Sequence, residues 1–259
     1  MTQVTKAIAL SVNLNKVALI RNSREGNYPD LTEFGRLCLE AGAQGLTVHP
    51  RPDQRHIRAS DVPDLSAVVK SFPGTEYNIE GNPFAGAQGT YPGLLTLVEA
   101  VRPNQCTLVP DTDSQLTSDH GFDLTQSGER LAPIIEKLRL WGVRISLFMD
   151  PDLEQIRLAK DVGADRIELY TGPYAWAYTR NATQARSLYQ KYCDAAQYGA
   201  EIGLGVNAGH DLNLDNMRKF RQLPNLCEVS IGHALTVDAL KMGLTPAIRA
   251  YLAVCGQIR

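Results

Sequence analysis

The feature that most constrains this chain is a regular alternation of short apolar, β-branched segments with longer segments of helical periodicity. Eight short segments stand out: Ala7–Asn13, Gly45–His49, Glu76–Glu80, Cys106–Pro110, Arg144–Asp150, Arg166–Gly172, Ile202–Gly209 and Glu228–Ala234. Strands that alternate with helices are typical of a parallel sheet. Eight such units in 259 residues predict an α/β fold, a (β/α)8 TIM barrel, which usually takes about 250 residues. We expect residues 1–259 to form this single domain.

The helical segments carry recognisable start and stop signals. Pro29-Asp30, Asp150-Pro151 and Asn213 precede three of them, and several end at a glycine just before the next strand, as in EAGAQG, LWGVR, DVGADR and QYGAEIG. These are the expected chemistries of a helix start and a helix stop. A doubly wound sheet is the competing fold, but it commonly has a glycine-rich turn after its first strand, and the sequence has none there.

Composition limits the partners and the compartment. The 26 Lys and Arg nearly balance the 28 Asp and Glu, so no net field favours nucleic acid or an anionic membrane surface. No apolar run approaches the roughly 18 residues that a membrane-spanning helix needs. Five cysteines are scattered without a CxxC pair, and the N-terminal residues do not resemble a signal peptide. We therefore expect a cytoplasmic protein that binds neither nucleic acid nor membranes.

Polar side chains concentrate where the predicted strands end, which is where a (β/α)8 barrel places its active site. All five histidines follow a strand rather than lying inside a helix. The strand-end residues are Asn13, His49 with Arg51 and His56 beyond it, Glu80, Glu168, Asn207, His210, Gly232 and His233. The two least regular regions, 81–93 and 111–122, follow strands three and four and are expected to be functional loops on the same face.

The residue types indicate proton transfer on an anionic substrate. Histidine changes charge near neutral pH, and a partly desolvated carboxylate such as Glu80 can titrate in the same range. Taken alone, each histidine is more often structural, and a salt-bridged loop residue is an even alternative for Glu80. We leave His120 as a surface histidine.

Arginines Arg51, Arg24 and Arg21 suggest a phosphate or carboxylate ligand, with a solvated surface arginine as an even alternative for Arg21. The glycines of NAGHD and IGHAL suit a phosphate site at a helix N-terminus. No HExxH pair, carboxylate triad or zinc-like Cys/His spacing is present, so we predict no catalytic metal.

The motifs VNLNKVALIRNSREGNYPD, LTVHPRPDQRHIR, NIE, SLFMD, IELYTG, VNAGHDL and IGHAL resemble those of the pyridoxine 5'-phosphate synthase family, in order and spacing, from about residue 7 to 250. HPRPDQRHIR and NAGHDL are together highly specific. The resemblance implies a barrel with extra short helices that assembles as a homo-octamer. It also implies condensation of two small phosphorylated substrates, 1-deoxy-D-xylulose 5-phosphate and 3-amino-2-oxopropyl phosphate, without a metal or organic cofactor.

Residue roles follow from the same resemblance. His49, Glu80 and His210 match the family's acid/base residues, and Glu168 matches a carboxylate that stabilises charged intermediates. Five residues match the family's substrate-binding positions: Asn13, Arg24, Arg51, His56 and Thr117. Gly232 and His233 match the loop that binds the aminoketone phosphate.

The sequence departs from the family pattern at three positions. Asn15 and Lys16 stand where the family commonly has an Asp-His pair that binds the sugar phosphate, and Asp211 replaces a glycine beside His210. Asn15 keeps an acceptor without the charge, whereas Lys16 keeps a cation but cannot relay protons at neutral pH. These changes bear on sugar binding more than on the reaction. A phosphosugar isomerase, epimerase or aldol-type lyase, and a non-catalytic sugar-phosphate sensor, are the alternatives.

Overall fold

Eight parallel strands close into one barrel in sequence order in the computed structural model, which describes residues 7–257. The strands are β1 (Ala9–Asn13), β2 (Gly45–Val48), β3 (Glu76–Gly81), β4 (Gln105–Leu108), β5 (Arg144–Met149), β6 (Arg166–Tyr170), β7 (Gly205–Gly209) and β8 (Leu226–Ile231). Strand β8 returns to pair with β1, with Leu10 opposite Val229. The predicted (β/α)8 barrel is confirmed.

Helices follow each strand around the outside, and some connections carry more than one. They are α1 (Asn15–Asn22), α2 (Leu31–Glu40), α3 (Asp61–Lys70), α4 (Leu94–Val101), α5 (Leu124–Leu140), α6 (Leu153–Asp161), α7 (Gly172–Arg180), α8 (Ala182–Glu201), α9 (Met217–Phe220), α10 (His233–Met242) and α11 (Leu244–Val254). The segments after β1, β6 and β8 each carry two helices, and these are the extra elements that the resemblance implied.

The helix signals in the sequence are mostly correct, with shifts of a few residues. Asp30 caps α2 by accepting from the Thr32 amide, as predicted. Helix α6 is capped by Asp152, two residues beyond the expected Asp150-Pro151 start. The prediction that strand seven begins at Ile202 is wrong, because the long α8 runs to Glu201 and its last turn closes at Ile202.

The outward faces of the strands form the apolar core between barrel and helices. Leu10, Leu46, Ile79, Ile145 and Val206 are all fully buried there. Successive strand residues point to opposite faces, so the residues between them face the barrel axis. The chain's apolar material therefore lies outside the barrel rather than within it.

Polar side chains fill the barrel interior, which usually holds branched apolar residues. Hydrogen bonds join strands that are not neighbours in the sheet, as between Thr107 and Glu168 at 3.5 Å and between Asn207 and Gln105 at 3.3 Å. Such bonds must cross the interior. Small residues make room for the long ones: a Cβ on Gly205 would meet the Arg166 side chain at 2.8 Å.

Among residues 7–257, no helix is long and apolar enough to cross a membrane.

Candidate active site

A cavity of about 300 Å³ opens at the carboxyl end of the barrel strands. It is lined by every side chain that the sequence singled out as catalytic or substrate-binding, except Arg24: His49, Glu80, Glu168, His210, Asn13, Asn15, Lys16, Arg51, His56, Thr117, Asp211, Gly232 and His233. These residues come from the ends of seven strands or from the segments that follow them, so only the closed barrel brings them together.

Two of the three arginines considered as anion ligands lie elsewhere. Arg24 is exposed in the turn after α1 and is not part of the cavity wall. Arg21 is buried and forms a two-pronged ion pair with Asp61, with one contact of 2.5 Å. The anion-binding interpretation of Arg21 is therefore wrong, because its charge is already neutralised inside the protein.

His49 follows the last residue of β2 and is almost completely buried. Its Nδ1 lies 3.7 Å from Glu80 Oε2 and its Nε2 lies 3.3 Å from Asp111 Oδ2. Burial alone would lower the pKa of this imidazole, but the charge of Asp111 and the contact with Glu80 together raise it to about 9. At neutral pH His49 is an imidazolium, so it begins as a proton donor.

Glu80 stands on β3 with its side chain directed at the neighbouring groups of the cavity. The Asn13 amide donates to Glu80 Oε2 at 3.4 Å, and the same oxygen faces His49. Glu80 is 8% exposed, so a substrate in the cavity can reach it while bulk water largely cannot. This arrangement gives the carboxylate a proton donor on one side and an open face on the other.

Glu168 on β6 lies deeper in the barrel than Glu80. Burial, and next the negative charge of Glu80, raise its pKa well above the usual range. The Thr107 hydroxyl donates to Glu168 Oε2 at 3.5 Å, and Gly209 makes the position of Glu168 possible, since a Cβ there would lie 2.2 Å from Glu168 Oε1. Burial and the charge of Glu80 therefore favour the neutral form of Glu168.

His210 occupies a strained backbone position at the end of β7. Its φ is +87°, and that of Asp211 is +57°, in the left-handed region that disfavours most side chains. The His210 ring is held on both nitrogens, with Nε2 2.8 Å from the Thr117 hydroxyl and Nδ1 3.1 Å from Asp211 Oδ2. The loop after β4 thus meets the end of β7 across the cavity mouth.

Residues at the start of α1 combine a structural and a ligand-facing role. The Asn15 side-chain oxygen accepts a hydrogen bond from the His49 amide at 2.9 Å. This oxygen, which the sequence analysis placed at the sugar-phosphate site, is therefore already hydrogen-bonded within the protein. Lys16 lines the cavity beside it and has no carboxylate within 4 Å among residues 7–257. Lys16 is therefore the cation at this end that is available to a ligand.

The neighbouring strand β8 leads into a helix N-terminus that also borders the cavity. Helix α10 begins at His233, and Gly232 lies at its N-cap position. Gly232 packs closely on Asn13, because a Cβ there would meet the Asn13 Cβ at 3.1 Å. The first amides of a helix carry partial positive charge and suit a phosphate group.

His56 is neutral in this setting. Burial, then the charges of His49 and Arg51, lower its pKa to about 3, and its Nδ1 accepts from the Ile57 amide at 2.9 Å. It can contact an anion only through the N–H on its other ring nitrogen. His120, by contrast, is exposed and pairs with Asp119, outside the cavity wall.

Sequence reasoning missed Asp111 and Arg55. Asp111 is buried between His49 and Arg51, and it is the first carboxylate after β4, so the strand-end rule that found Glu80 could have found it. Arg55, which the sequence analysis did not single out as a ligand, lines the cavity and donates to the carbonyl oxygens of Asp113 and Gln115. Arg51 donates to Gln115 as well, so both arginines hold the loop after β4.

No group of three or more His, Cys, Asp or Glu side chains arranged to hold a metal ion occurs within residues 7–257. The cavity instead combines a buried imidazolium, carboxylates in two protonation states and two regions of positive potential.

A closed eight-stranded parallel barrel with proton-transfer and anion-binding groups at the carboxyl ends of its strands defines a (β/α)8-barrel enzyme. The sequence profile of the family described as pyridoxal phosphate biosynthesis protein PdxJ matches residues 10–257. The chain belongs to this family and is an enzyme.

Curated relatives agree with the family assignment. A pyridoxine 5'-phosphate synthase of Xanthomonas campestris pv. campestris (strain B100) is 54% identical over 246 residues, 95% of each chain. One of Xylella fastidiosa (strain 9a5c) is 48% identical over 250 residues, 96% of this chain and 95% of the relative. A solved phosphoribosylanthranilate isomerase from Thermotoga maritima has a TM-score of 0.55 at 12% identity, covering 97% of this chain and all of that one. It shares the fold alone.

Proposed function

We propose that the chain is a pyridoxine 5'-phosphate synthase. It condenses 1-deoxy-D-xylulose 5-phosphate with 3-amino-2-oxopropyl phosphate and releases pyridoxine 5'-phosphate, inorganic phosphate and water. The observation that carries the proposal is the meeting of His49, Glu80, Glu168 and His210 in one cavity, in a chain about half identical to proteins of that name over nearly its whole length.

Two regions of positive potential support the use of two phosphorylated substrates. Lys16 after β1 and the N-terminus of α10 after the neighbouring strand β8 both border the cavity. In this scheme Lys16 binds the phosphate of the sugar, and Gly232 with His233 binds the phosphate of the aminoketone.

The first chemical step is attack of the aminoketone's amine on the ketone of the deoxysugar. The carbinolamine that results loses water to give an imine, and this loss requires a proton on the departing oxygen. His49 enters the reaction protonated, because its pKa is about 9, and it donates this proton. Glu80, close to His49 Nδ1, accepts a proton from the substrate as the imine rearranges.

Later steps expel the sugar phosphate and close the ring. The enol carbon that remains attacks the second carbonyl, and loss of water gives the aromatic pyridine. His210, positioned by Thr117 and Asp211, assists the leaving group or the ring closure. Burial favours the neutral form of Glu168; it passes its proton to an oxygen of the substrate that leaves as water, and the carboxylate that remains stabilises the cationic intermediate beside it.

The proposal is tested by mixing the purified protein with both substrates and following pyridine absorbance together with phosphate release. Product must depend on both substrates, and each substrate alone is the control. Turnover of a single phosphosugar would instead identify an isomerase, epimerase or lyase, and ligand binding without any turnover would identify a sensor. Either result would refute the synthase function.

The assembly, the domain extent and the compartment remain part of this proposal. We expect residues 1–259 to act as a single barrel domain and the chain to form a homo-octamer in the cytoplasm, without a metal or organic cofactor and without binding nucleic acid or membranes. Sedimentation of the purified chain tests the octamer directly, and a monomer or dimer at working concentration would contradict it.

A further inference from the structure

Asp111 is the most heavily engaged carboxylate of the cavity region, although the sequence analysis did not single it out. It follows β4 by three residues and is 5% exposed. Its Oδ2 accepts from the Arg51 guanidinium, lies 3.3 Å from His49 Nε2 and lies 3.4 Å from the Ser118 hydroxyl. One carboxylate oxygen therefore contacts an acid/base residue, an arginine and the loop after β4.

We propose that Asp111 is a positioning residue for the condensation: it orients the His49 ring by facing Nε2, so that Nδ1 is the nitrogen that exchanges protons with Glu80 and the substrate. This inference rests on the function proposed above. Asp111 does not touch the reacting atoms, since its carboxylate lies behind His49 and against Arg51.

The geometry of His49 supports this division between its two nitrogens. Nε2 faces Asp111 and Nδ1 faces Glu80, so the ring bridges two carboxylates of different accessibility. The contact between Nε2 and Asp111 is an ion contact at 3.3 Å without hydrogen-bond geometry, and a carboxylate charge beside one imidazole nitrogen orients the ring and favours its protonated form. Glu80 lines the main cavity, whereas Asp111 borders a smaller cavity of about 240 Å³, so the Nδ1 side of the ring faces the other substrate-binding residues.

The charges around His49 explain why Asp111 has this effect. Glu80 and Asp111 are the acidic groups that face the ring, Arg51 lies beyond Asp111, and the ring of the neutral His56 lies 6.3 Å from that of His49. Burial opposes ionisation of Asp111, yet the positive charges of His49 and Arg51 hold the pKa of this carboxyl well below its usual range. Asp111 is thus a permanent anion, and its charge is shared between His49 and Arg51.

A purely structural role as a loop anchor involves different atoms. The Asn82 amide donates to the backbone carbonyl of Asp111 at 2.7 Å, and this bond does not need the carboxylate. Arg55 and Arg51 hold the same loop through the Gln115 carbonyl. Removing only the charge of Asp111 therefore leaves most loop anchors in place and isolates its effect on His49.

The test is an NMR titration of the labelled His49 imidazole in the wild-type chain and in Asp111→Asn, with His49→Asn used for assignment. We expect the pKa of His49 to fall by roughly 1–3 units, the usual effect of losing an opposite charge at this distance. Because the reaction needs protonated His49, activity is lost as pH rises through this pKa. The alkaline limb of kcat/KM must therefore move to lower pH by a similar amount, and Asp111→Glu should restore much of it.

Asp113→Asn is the matched control, since it makes the same change two residues away at an exposed carboxylate outside the wall of the main cavity. It should leave both the titration and the pH profile unchanged. A folded Asp111→Asn variant in which His49 titrates as in the wild type would overturn the proposal.

Asp111→Asn leaves the buried Arg51 without its partner, which can impair folding. A second comparison therefore starts from Arg51→Gln, and adding Asp111→Asn to it must lower the pKa of His49; no change there would also refute the role. The titration needs no turnover. If the wild-type chain formed no pyridine product, the synthase function would fail while the titration still decided whether Asp111 controls His49.

Discussion

The two ends of the barrel interior both hold charged side chains, but they neutralise them differently. At the amino end Glu76 pairs with Arg144, and Glu228 lies 3.4 Å from Arg166. At the carboxyl end, among residues 7–257, Glu168 has no cationic partner within 4 Å and the ion-pair contact of Glu80 is with His49 at 3.7 Å. Paired charges support the fold, whereas groups without a fixed partner can change protonation during a reaction.

Strand β3 contains this contrast within five residues, since Glu76 and Glu80 both face the barrel axis at its opposite ends. We expect Glu80→Gln to lose on the order of 10² to 10⁴ in turnover, the usual cost of removing a positioned acid/base group, while phosphate ligands still bind. Steady-state rates and ligand titrations measure the two effects separately.

Glu76→Gln is the matched control on the same strand. It breaks the pair with Arg144. Because the Glu76 side chain is 42% exposed, we expect at most about 1 kcal/mol of lost stability and near-normal turnover. Full turnover in Glu80→Gln, or a comparable loss in Glu76→Gln, would remove the distinction between the two ends.

The pKa of Glu228 tests how completely the charges at the amino end of the barrel are neutralised. Burial raises its pKa to about 7 despite the opposing charge of Arg166. Between its unfolded pKa near 4.5 and about 7, the folded state keeps a proton that the unfolded state has released, so this group makes the free energy of unfolding decrease as pH rises through that window. Its contribution is present in full below the window and is lost above it.

Glu228→Gln replaces the ionisable group with a neutral amide of the same shape. We expect the variant to lack this part of the pH dependence, so that its stability relative to the wild type improves from pH 4.5 to pH 8 by roughly 3 kcal/mol, at about 1.4 kcal/mol per pKa unit. Urea unfolding at several pH values measures it. Parallel stability curves for the two proteins would show that Arg166 fully offsets the burial of Glu228.

The sequence predicted the barrel fold better than it predicted which side chains pair with one another. Strand number and order follow from apolar periodicity, which is local, and the strand-end rule placed His49, Glu80 and His210 correctly in one cavity. The neutralisation of Arg21 by Asp61, across 40 positions, depends on tertiary packing. The same is true of Asp111 beside His49, and no local pattern encodes such a pairing.

The polar interior of the barrel was also beyond sequence reasoning of this kind. Strands such as β4 were identified by their apolar content, which faces the helices, while Gln105 and Thr107 face the axis. An alternating pattern shows that the two faces of a strand differ in polarity. It does not show that polar and charged side chains of the inner face will contact one another across the barrel. Gly205, which accommodates Arg166, and Gly209, which accommodates Glu168, are local signs of such crowding.

Lys16 and Asp211 sharpen the comparison at the carboxyl end, because both are charged and both depart from the family pattern. We expect Lys16→Ala to weaken binding of 1-deoxy-D-xylulose 5-phosphate by about tenfold, which corresponds to about 1.4 kcal/mol, and to affect the aminoketone less. Its stability should hardly change, since Lys16 has no ion-pair partner to lose among residues 7–257. Equal losses for both substrates would contradict the placement of the sugar phosphate beside Lys16.

Asp211→Gly is expected to have the smallest effect and to act in the opposite direction. Glycine accepts the positive φ of position 211 without strain, so we expect stability to stay within about 1 kcal/mol of the wild type. Loss of the carboxylate should modestly tighten phosphate binding, because the pKa of Asp211 is lowered by its bond to His210 and the group is ionised at neutral pH. Calorimetric titration with inorganic phosphate measures this change. Weaker phosphate binding in Asp211→Gly would mean that the carboxylate helps the site by orienting His210 more than it harms it by repulsion.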